Sequence, residues 1–234
     1  MSKCAIVTGA SQGLGLNLVK EGIKRGYRVY ALDLKISDDL KALGSESCIV
    51  YDCDITDDQS VEMCKRKICK NCGSIDILFN NAGIWLDVKR MTLDDPEFDF
   101  DAVFKQFNVN AVGMLKMSRA FIKLILNSEV KCMINISSEA GSIGDCWRKG
   151  EYGYCMSKAA QNMACAIMKN AYPDITFYSI HPGWMVTPQG MAGADENSKP
   201  TQNPADTAEI LYDMAERKTS KYTYCDFNAN KLNY

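Results

Sequence analysis

The chain has 234 residues, enough for one domain with a full hydrophobic core and below the length at which a core divides. Its 27 basic and 29 acidic side chains leave a formal charge of −2 with no run of five like charges, which argues against a nucleic-acid or anionic-membrane surface. A composition of 47% hydrophobic and 24% charged residues is that of a globular protein and excludes disorder, collagen and coiled coil.

Met1-Ser2-Lys3 runs straight into Cys4-Ala5-Ile6-Val7, too short a lead for a secretion signal. The most apolar helical stretch, Ala111–Leu126, is broken by Lys116, Arg119 and Lys123, so no membrane span is expected. Eleven cysteines without a signal read as free thiols in a reducing compartment, and the expected location is the cytoplasm.

Strand-like runs fall at Lys3–Thr8, Arg28–Leu32, Cys48–Tyr51, Ile75–Phe79, Lys131–Ile136 and Thr176–Ile180, with a weaker seventh at Tyr222–Cys225. Between them, apolar residues recur at the helical period over Leu14–Arg25, Gln59–Cys69, Phe98–Leu126, Tyr154–Asn170 and Ala205–Arg217. Nearly all-apolar strands separated by helices predict an α/β fold, a Rossmann-type doubly wound parallel sheet of seven strands in a single domain over 1–234. Pro188–Pro204, rich in Gly, Pro and small polar residues, reads as a long surface loop beside the substrate.

The first strand leads into T-G-A-S-Q-G-L-G, Thr8 to Gly15. Its glycines permit a tight turn and a close backbone approach, and the helix start then offers free N–H groups to a phosphate. The spacing is G-x-x-x-G-x-G, not the commoner G-x-G-x-x-G. The second strand ends in Asp33, where a carboxylate accepts hydrogen bonds from an adenosine ribose and repels a 2′-phosphate. With neutral Gln12 in the loop, this favours NAD over NADP; Lys35 is the counter-signal. Asp54 and Ile55 follow the third strand, and Asn81-Ala82-Gly83 the fourth, as adenine and ring contacts.

After the fifth strand stand Ser137 and Ser138, and downstream Tyr154 and Lys158 lie four apart, on one face of a helix. An ammonium about 4 Å from a phenol, at an effective dielectric of about 20, attracts its phenolate by about 4 kcal/mol, or roughly three pKa units, before desolvation is counted. A tyrosine so placed works as a general acid/base near neutrality.

The glycine loop, N-N-A-G at 80–83, N-V-N-A-V-G at 108–113, the serine, Y-x-x-x-K and H-P-G-W-M-V-T at 181–187 together resemble the short-chain dehydrogenase/reductase family over nearly the whole chain. The C-terminal stretch is similar to the shorter carbonyl-reductase-like branch. The resemblance implies Tyr154 as acid/base, Lys158 lowering its pKa and holding the nicotinamide ribose, and Ser138 on the substrate oxygen. It also implies Asn110 at a helix bend holding a water, and Thr187 on the nicotinamide carboxamide. Gly9, Ser11, Gln12, Gly13, Leu14, Gly15, Pro182 and Gly183 complete the implied cofactor set. Ser138 is preferred over Ser137 as the second of the pair, and Tyr154 over Tyr152 because only Tyr154 lies four before Lys158. Members of that branch often use NADP, in tension with Asp33.

The longer segment between Ser138 and Tyr154 puts Asp145, Trp147, Arg148 and Lys149 within reach of substrate, and Met185 and Trp85 are further wall candidates. Cys64, Cys69 and Cys72 spell C-x4-C-x2-C but lack a nearby fourth ligand, so free thiols are expected over an iron–sulfur cluster, a metal site or a Cys69–Cys72 redox pair. His181, the lone histidine, reads as structural. The expected function is hydride transfer between NAD(H) and a small carbonyl or secondary alcohol substrate. The alternative is a non-catalytic dinucleotide-binding redox sensor or partner subunit, which would have no need of Asn110, Ser138, Tyr154 and Lys158 together. The two long helices suit a homodimer or homotetramer, although some members of the shorter branch stand alone.

Overall fold

The strands are short runs of apolar residues with both faces covered: every residue of β1 (Cys4–Thr8), β4 (Ile77–Asn80) and β5 (Cys132–Ile136) is buried. A computed structural model describes residues 3–234; Met1 and Ser2, read as leading into the first strand, lie outside the described residues. With β2 (Arg28–Asp33), β3 (Cys48–Asp52), β6 (Thr176–His181) and β7 (Tyr224–Asp226), the strands form one parallel sheet in the order β3-β2-β1-β4-β5-β6-β7. Helices α1 (Gly13–Lys24) and α8 (Pro204–Arg217) bury Leu18, Val19, Leu211 and Tyr212 on one face. On the other, α3 (Asp58–Cys69), α5 (Met114–Leu126) and α6 (Tyr152–Ala171) bury Ile68, Phe121 and Cys165.

The chain winds outward from β1 to β3, then returns through α3 to lay β4 on the other side of β1. At that reversal a crevice opens beyond the carboxyl ends of the strands. One side chain ties its floor together. The Thr8 hydroxyl donates to the Phe79 carbonyl (3.3 Å) and accepts from the Asn81 and Ala82 amides (both 3.0 Å), locking the ends of β1 and β4.

Three local features differ from the sequence reading. The expected helix over 98–126 is α4 (Phe100–Phe107), a wide π-helical turn (Asn108–Gly113) and α5. The extra residue in the turn lets Asn110 face inward while Gly113 passes Ile55, whose Cδ1 would lie 2.8 Å from a Cβ there. Helix α6 starts at Tyr152, two residues early, because the Asp87 carboxylate accepts the Gly153 (2.8 Å) and Tyr154 (3.2 Å) amides from a remote segment. Finally, two unforeseen single-turn helices form: α2 (Asp38–Ala42), capped by Ser37, and α7 (Pro188–Ala192), capped by Thr187 inside the expected loop. No helix among the described residues is long and apolar enough to cross a membrane.

Phe79 is fully buried with its ring 4.9 Å from that of Tyr212, so it joins β4 to α8. Phe79→Ala is expected to cost about 3–5 kcal/mol and lower the melting temperature on the order of 10 °C, read by circular dichroism.

Candidate active site

The crevice is a cleft of about 820 Å³, within the range of ligand sites. Gly9 and Gly13 adopt left-handed backbone (φ 64° and 54°), and the room over them is narrow: a Cβ on Gly9 would lie 2.8 Å from the Ala82 Cα, and one on Gly13 3.1 Å from Thr187. Gly15 is a packing glycine, since its Cβ would collide with the Gly9 carbonyl. Helix α1 begins here with no side-chain cap and no acidic residue in its first turn. Its N–H groups are therefore directed at the cleft without a competing carboxylate, which suits an anion.

Gly9, Gln12, Gly13, Leu14, Asp33, Asp54, Ile55, Asn81, Ala82 and Gly83 all line this half. Asp33 is held by the Ser11 amide on Oδ2 (2.8 Å) and the Lys35 amide on Oδ1 (3.0 Å). Each oxygen keeps a lone pair for a further donor. Ser11 itself does not line the cleft: its hydroxyl donates to the Lys35 carbonyl (2.9 Å) and accepts from the Ser37 amide (3.2 Å), bracing the loop after β2. Asp54 accepts from the Thr56 amide and hydroxyl at 2.8 and 2.7 Å, which shapes its turn. Asn81 spans the floor through Nδ2 to the Thr8 and Gly9 carbonyls.

The other half gathers Ser138, Tyr154, Lys158, Pro182, Gly183 and Thr187. Ser138 lines the cleft beside Tyr154 and acts on its phenol, favouring the phenolate, which supports choosing Ser138. The Ser137 hydroxyl is engaged elsewhere, donating to Asn162 Oδ1 at 2.7 Å. Tyr152 packs edge-on against Phe98 (5.7 Å) away from the cleft. Asn110 is buried behind the wall and clamps the Ile84 backbone, Nδ2 to the carbonyl (2.9 Å) and Oδ1 from the amide (2.8 Å). Its Nδ2 also donates to the Ser157 hydroxyl (2.9 Å), linking the π-helical turn to α6.

Lys158 is 4% exposed, and its Nζ lies 5.6 Å from the Tyr154 ring centroid. The amine donates to the Ile136 carbonyl (2.7 Å) and Gln161 Oε1 (3.1 Å), neither of them charged. Burial pushes its pKa down to about 7. Tyr154 is partly open to the cleft as a residue, but its hydroxyl is ringed by protein. Burial lifts that phenol well above the ordinary tyrosine range, with Ser138 opposing. The one-turn spacing anticipated a phenol drawn down by its lysine. In the protein itself desolvation outweighs that attraction for both groups.

All three tryptophans lie in the cleft wall, with Met185. Trp85 stands 5.5 Å from the Tyr154 ring, and its far side bears on Gly193, where no Cβ would fit. The 188–204 segment thus folds onto Trp85, and Trp184 Nε1 donates to the Gly190 carbonyl (3.0 Å). Arg148 lines the cleft but is committed to a bidentate pair with Glu139 (2.7 and 2.8 Å) and to Glu151 (2.6 Å). Asp145 lies outside the wall, accepting from Asn233. Arg90 and Lys105 also reach the cleft from a loop and from α4, with no local signal in the sequence to mark them. His181 closes β6 in the wall, with burial lowering its pKa.

The short chain dehydrogenase family model matches residues 3–198. A short chain aldehyde dehydrogenase of Euphorbia lathyris is 29% identical over 82% of this chain and 69% of that protein. A 3-oxoacyl-(acyl-carrier-protein) reductase of Vibrio harveyi is 29% identical over 85% and 80%. Among solved structures, the NADPH-bound carbonyl reductase from chicken fatty liver superposes with a TM-score of 0.82 at 23% identity, covering 100% of this chain and 94% of that one. The carbonyl reductase Sniffer of D. melanogaster gives 0.80 at 20% identity, covering all of both chains. On the match across most of its length, and on a cleft that unites the glycine turn with Ser138, Tyr154 and Lys158, the chain belongs to the short chain dehydrogenase family of oxidoreductases.

Proposed function

We propose that the protein transfers a hydride between NAD(H) and a carbonyl or secondary alcohol carbon, with Tyr154 as the acid/base. The observation that carries this reading is that Ser138, Tyr154 and Lys158 line the same cleft as the glycine turn. The donor set fits a dinucleotide: the uncapped start of α1 suits a diphosphate, and Asp33 suits ribose hydroxyls. Bound there, the nicotinamide supplies or accepts the hydride.

The side chains do the rest. Ser138 donates to the substrate oxygen, and Tyr154 gives or takes that oxygen's proton. Lys158 holds the nicotinamide ribose and, when charged, favours the phenolate. Thr187 takes the carboxamide, while Asn110 keeps Ile84 and α6 in register beneath the site. Trp85 and the 188–204 segment wall in a small carbonyl or alcohol substrate. Eleven cysteines, with no disulfide among the described residues, support a reducing compartment, the cytoplasm.

Tyr154→Phe should bind NADH as the wild type does and lose turnover by about 10²–10⁴-fold across a panel of ketones and aldehydes followed at the nicotinamide absorbance. Unchanged turnover would remove Tyr154 from the reaction. Asp33 with neutral Gln12 supports NAD, although Lys35 stands beside them in the wall. Fluorescence titration is expected to show NADH binding at least about tenfold tighter than NADPH, about 1.4 kcal/mol, and Asp33→Ala narrowing the gap. Tighter NADPH binding would reverse the assignment.

Lys158 also makes stability depend on pH. Its folded pKa of about 7 lies below its ordinary 10.5, so between those values the unfolded chain binds the proton more tightly. The wild type therefore loses stability as pH falls through that window, by up to a few kcal/mol. Lys158→Met lacks this dependence. Its melting temperature relative to wild type should be highest near pH 6 and fall steadily towards pH 10; a pH-independent difference would contradict the depressed amine.

A further inference from the structure

Helix α6 carries Tyr154 in its first turn, yet no residue next to it in the chain caps that turn. Glu151, which precedes it, has left-handed backbone (φ 64°) and makes no side-chain cap bond. Its carboxylate is turned instead to Arg148 (2.6 Å) and Arg90 (3.4 Å). The amides of the first turn are taken up from a distance. Asp87 Oδ2 accepts from Gly153 (2.8 Å) and Tyr154 (3.2 Å), the two positions that an N-cap side chain ordinarily serves. The other oxygen, Oδ1, is buried and has no hydrogen-bond partner among the described residues, so the carboxylate is committed to α6.

Asp87 is held in its turn. Residues 81–87 form neither helix nor strand, so no ladder of backbone bonds fixes the segment. Two buried side-chain amides do so instead. Asn110 clamps both backbone groups of Ile84, and Gln106 Oε1 accepts from the Leu86 amide (2.9 Å). Gln106 Nε2 lies against Gly153, where a Cβ would also stand 2.9 Å from the Val103 Cα, so the start of α6 is pressed onto α4. Between these ties the Trp85 ring meets the Tyr154 ring, with 5.5 Å between centroids. Trp85 and Asp87 thus grip the ring and the amide of one residue.

We propose that Asp87 is a positioning residue for the acid/base: by holding the Tyr154 amide, it fixes where the phenol stands in the cleft. This role presupposes Tyr154 as the acid/base proposed for the site. Tyr154 is the third residue of α6, so a first turn that frays carries the phenol with it. A reacting group misplaced by about 1 Å can cost about 10²-fold in rate. Asparagine offers the same acceptor oxygen at the same reach, and alanine offers none.

Position and rate can be read separately. In protein labelled with 3-fluorotyrosine, the ¹⁹F line of Tyr154 is the one missing from Tyr154→Phe. Asp87→Ala should shift or broaden that line and spare the tyrosines outside the first turn of α6, whereas Asp87→Asn should leave it in place. In unlabelled protein, Asp87→Ala should lower kcat on the order of 10²-fold across the panel of ketones and aldehydes, with NADH affinity unchanged, and Asp87→Asn should restore it. Asp87→Glu keeps the charge and the acceptor but carries them one methylene further. It should shift the same line and lower kcat in a chain that still caps α6, which covers an alanine variant that fails to fold. A Tyr154 line and kcat unmoved in Asp87→Ala, or a loss that Asp87→Asn does not restore, would overturn the proposal. Turnover kept in Tyr154→Phe would remove the acid/base reading and this proposal with it; turnover lost there but kept in Asp87→Ala would overturn the proposal alone.

Discussion

A lysine amine withdrawn from water must find its hydrogen bonds inside the protein, and among the described residues Lys158 finds the Ile136 carbonyl and the Gln161 amide oxygen. Neither partner is charged, so the ammonium is poorly compensated and its pKa falls to the edge of neutrality. One helical turn earlier the Tyr154 phenol is driven the other way by the same burial. The phenol therefore stays neutral while the amine sits at the edge of neutrality, where a modest added field moves it. An amine poised in this way suits the proposed exchange of a proton in step with a hydride.

This poise is built by the sheet. The winding reverses between β1 and β4, and Thr8 fastens their ends, so the glycine turn and the Asn81–Gly83 turn face each other across the crevice. From β5 comes Ser138, and from α6 come Tyr154 and Lys158. The start of α6 is held by Asp87, and its middle is braced by Asn110 through Ser157. The wide turn that carries Asn110 interrupts what would otherwise be one continuous helix. Helix regularity is given up where an inward-facing amide is needed.

Much of this was legible in the sequence. Strand and helix positions follow from apolar runs and periods, since a parallel sheet covered on both faces leaves few other places for those residues. The glycine turn, Asp33, Ser138, Tyr154 and Lys158 fall in one cleft because each follows a strand or shares one helix face. The illegible parts depend on contacts distant in the chain. The early start of α6 needs Asp87, 66 residues away from Gly153. Ser11 sits in the glycine loop yet turns its hydroxyl to the segment after β2. Arg148, with its place in the sequence suggesting a substrate contact, is bound by Glu139 and Glu151. Ionisation was the least legible of all, because spacing reports the attraction between Tyr154 and Lys158 but not the loss of water around both.

The most direct measurement is an NMR titration of the lysine side chains in the nucleotide-free protein, with the Lys158 resonance assigned by its absence from Lys158→Met. The account predicts one amine that titrates near pH 7, about three units below the others. A Lys158 that stays charged up to pH 10 would contradict it, since the amine would then be a solvated or paired ammonium rather than a buried one held at neutrality.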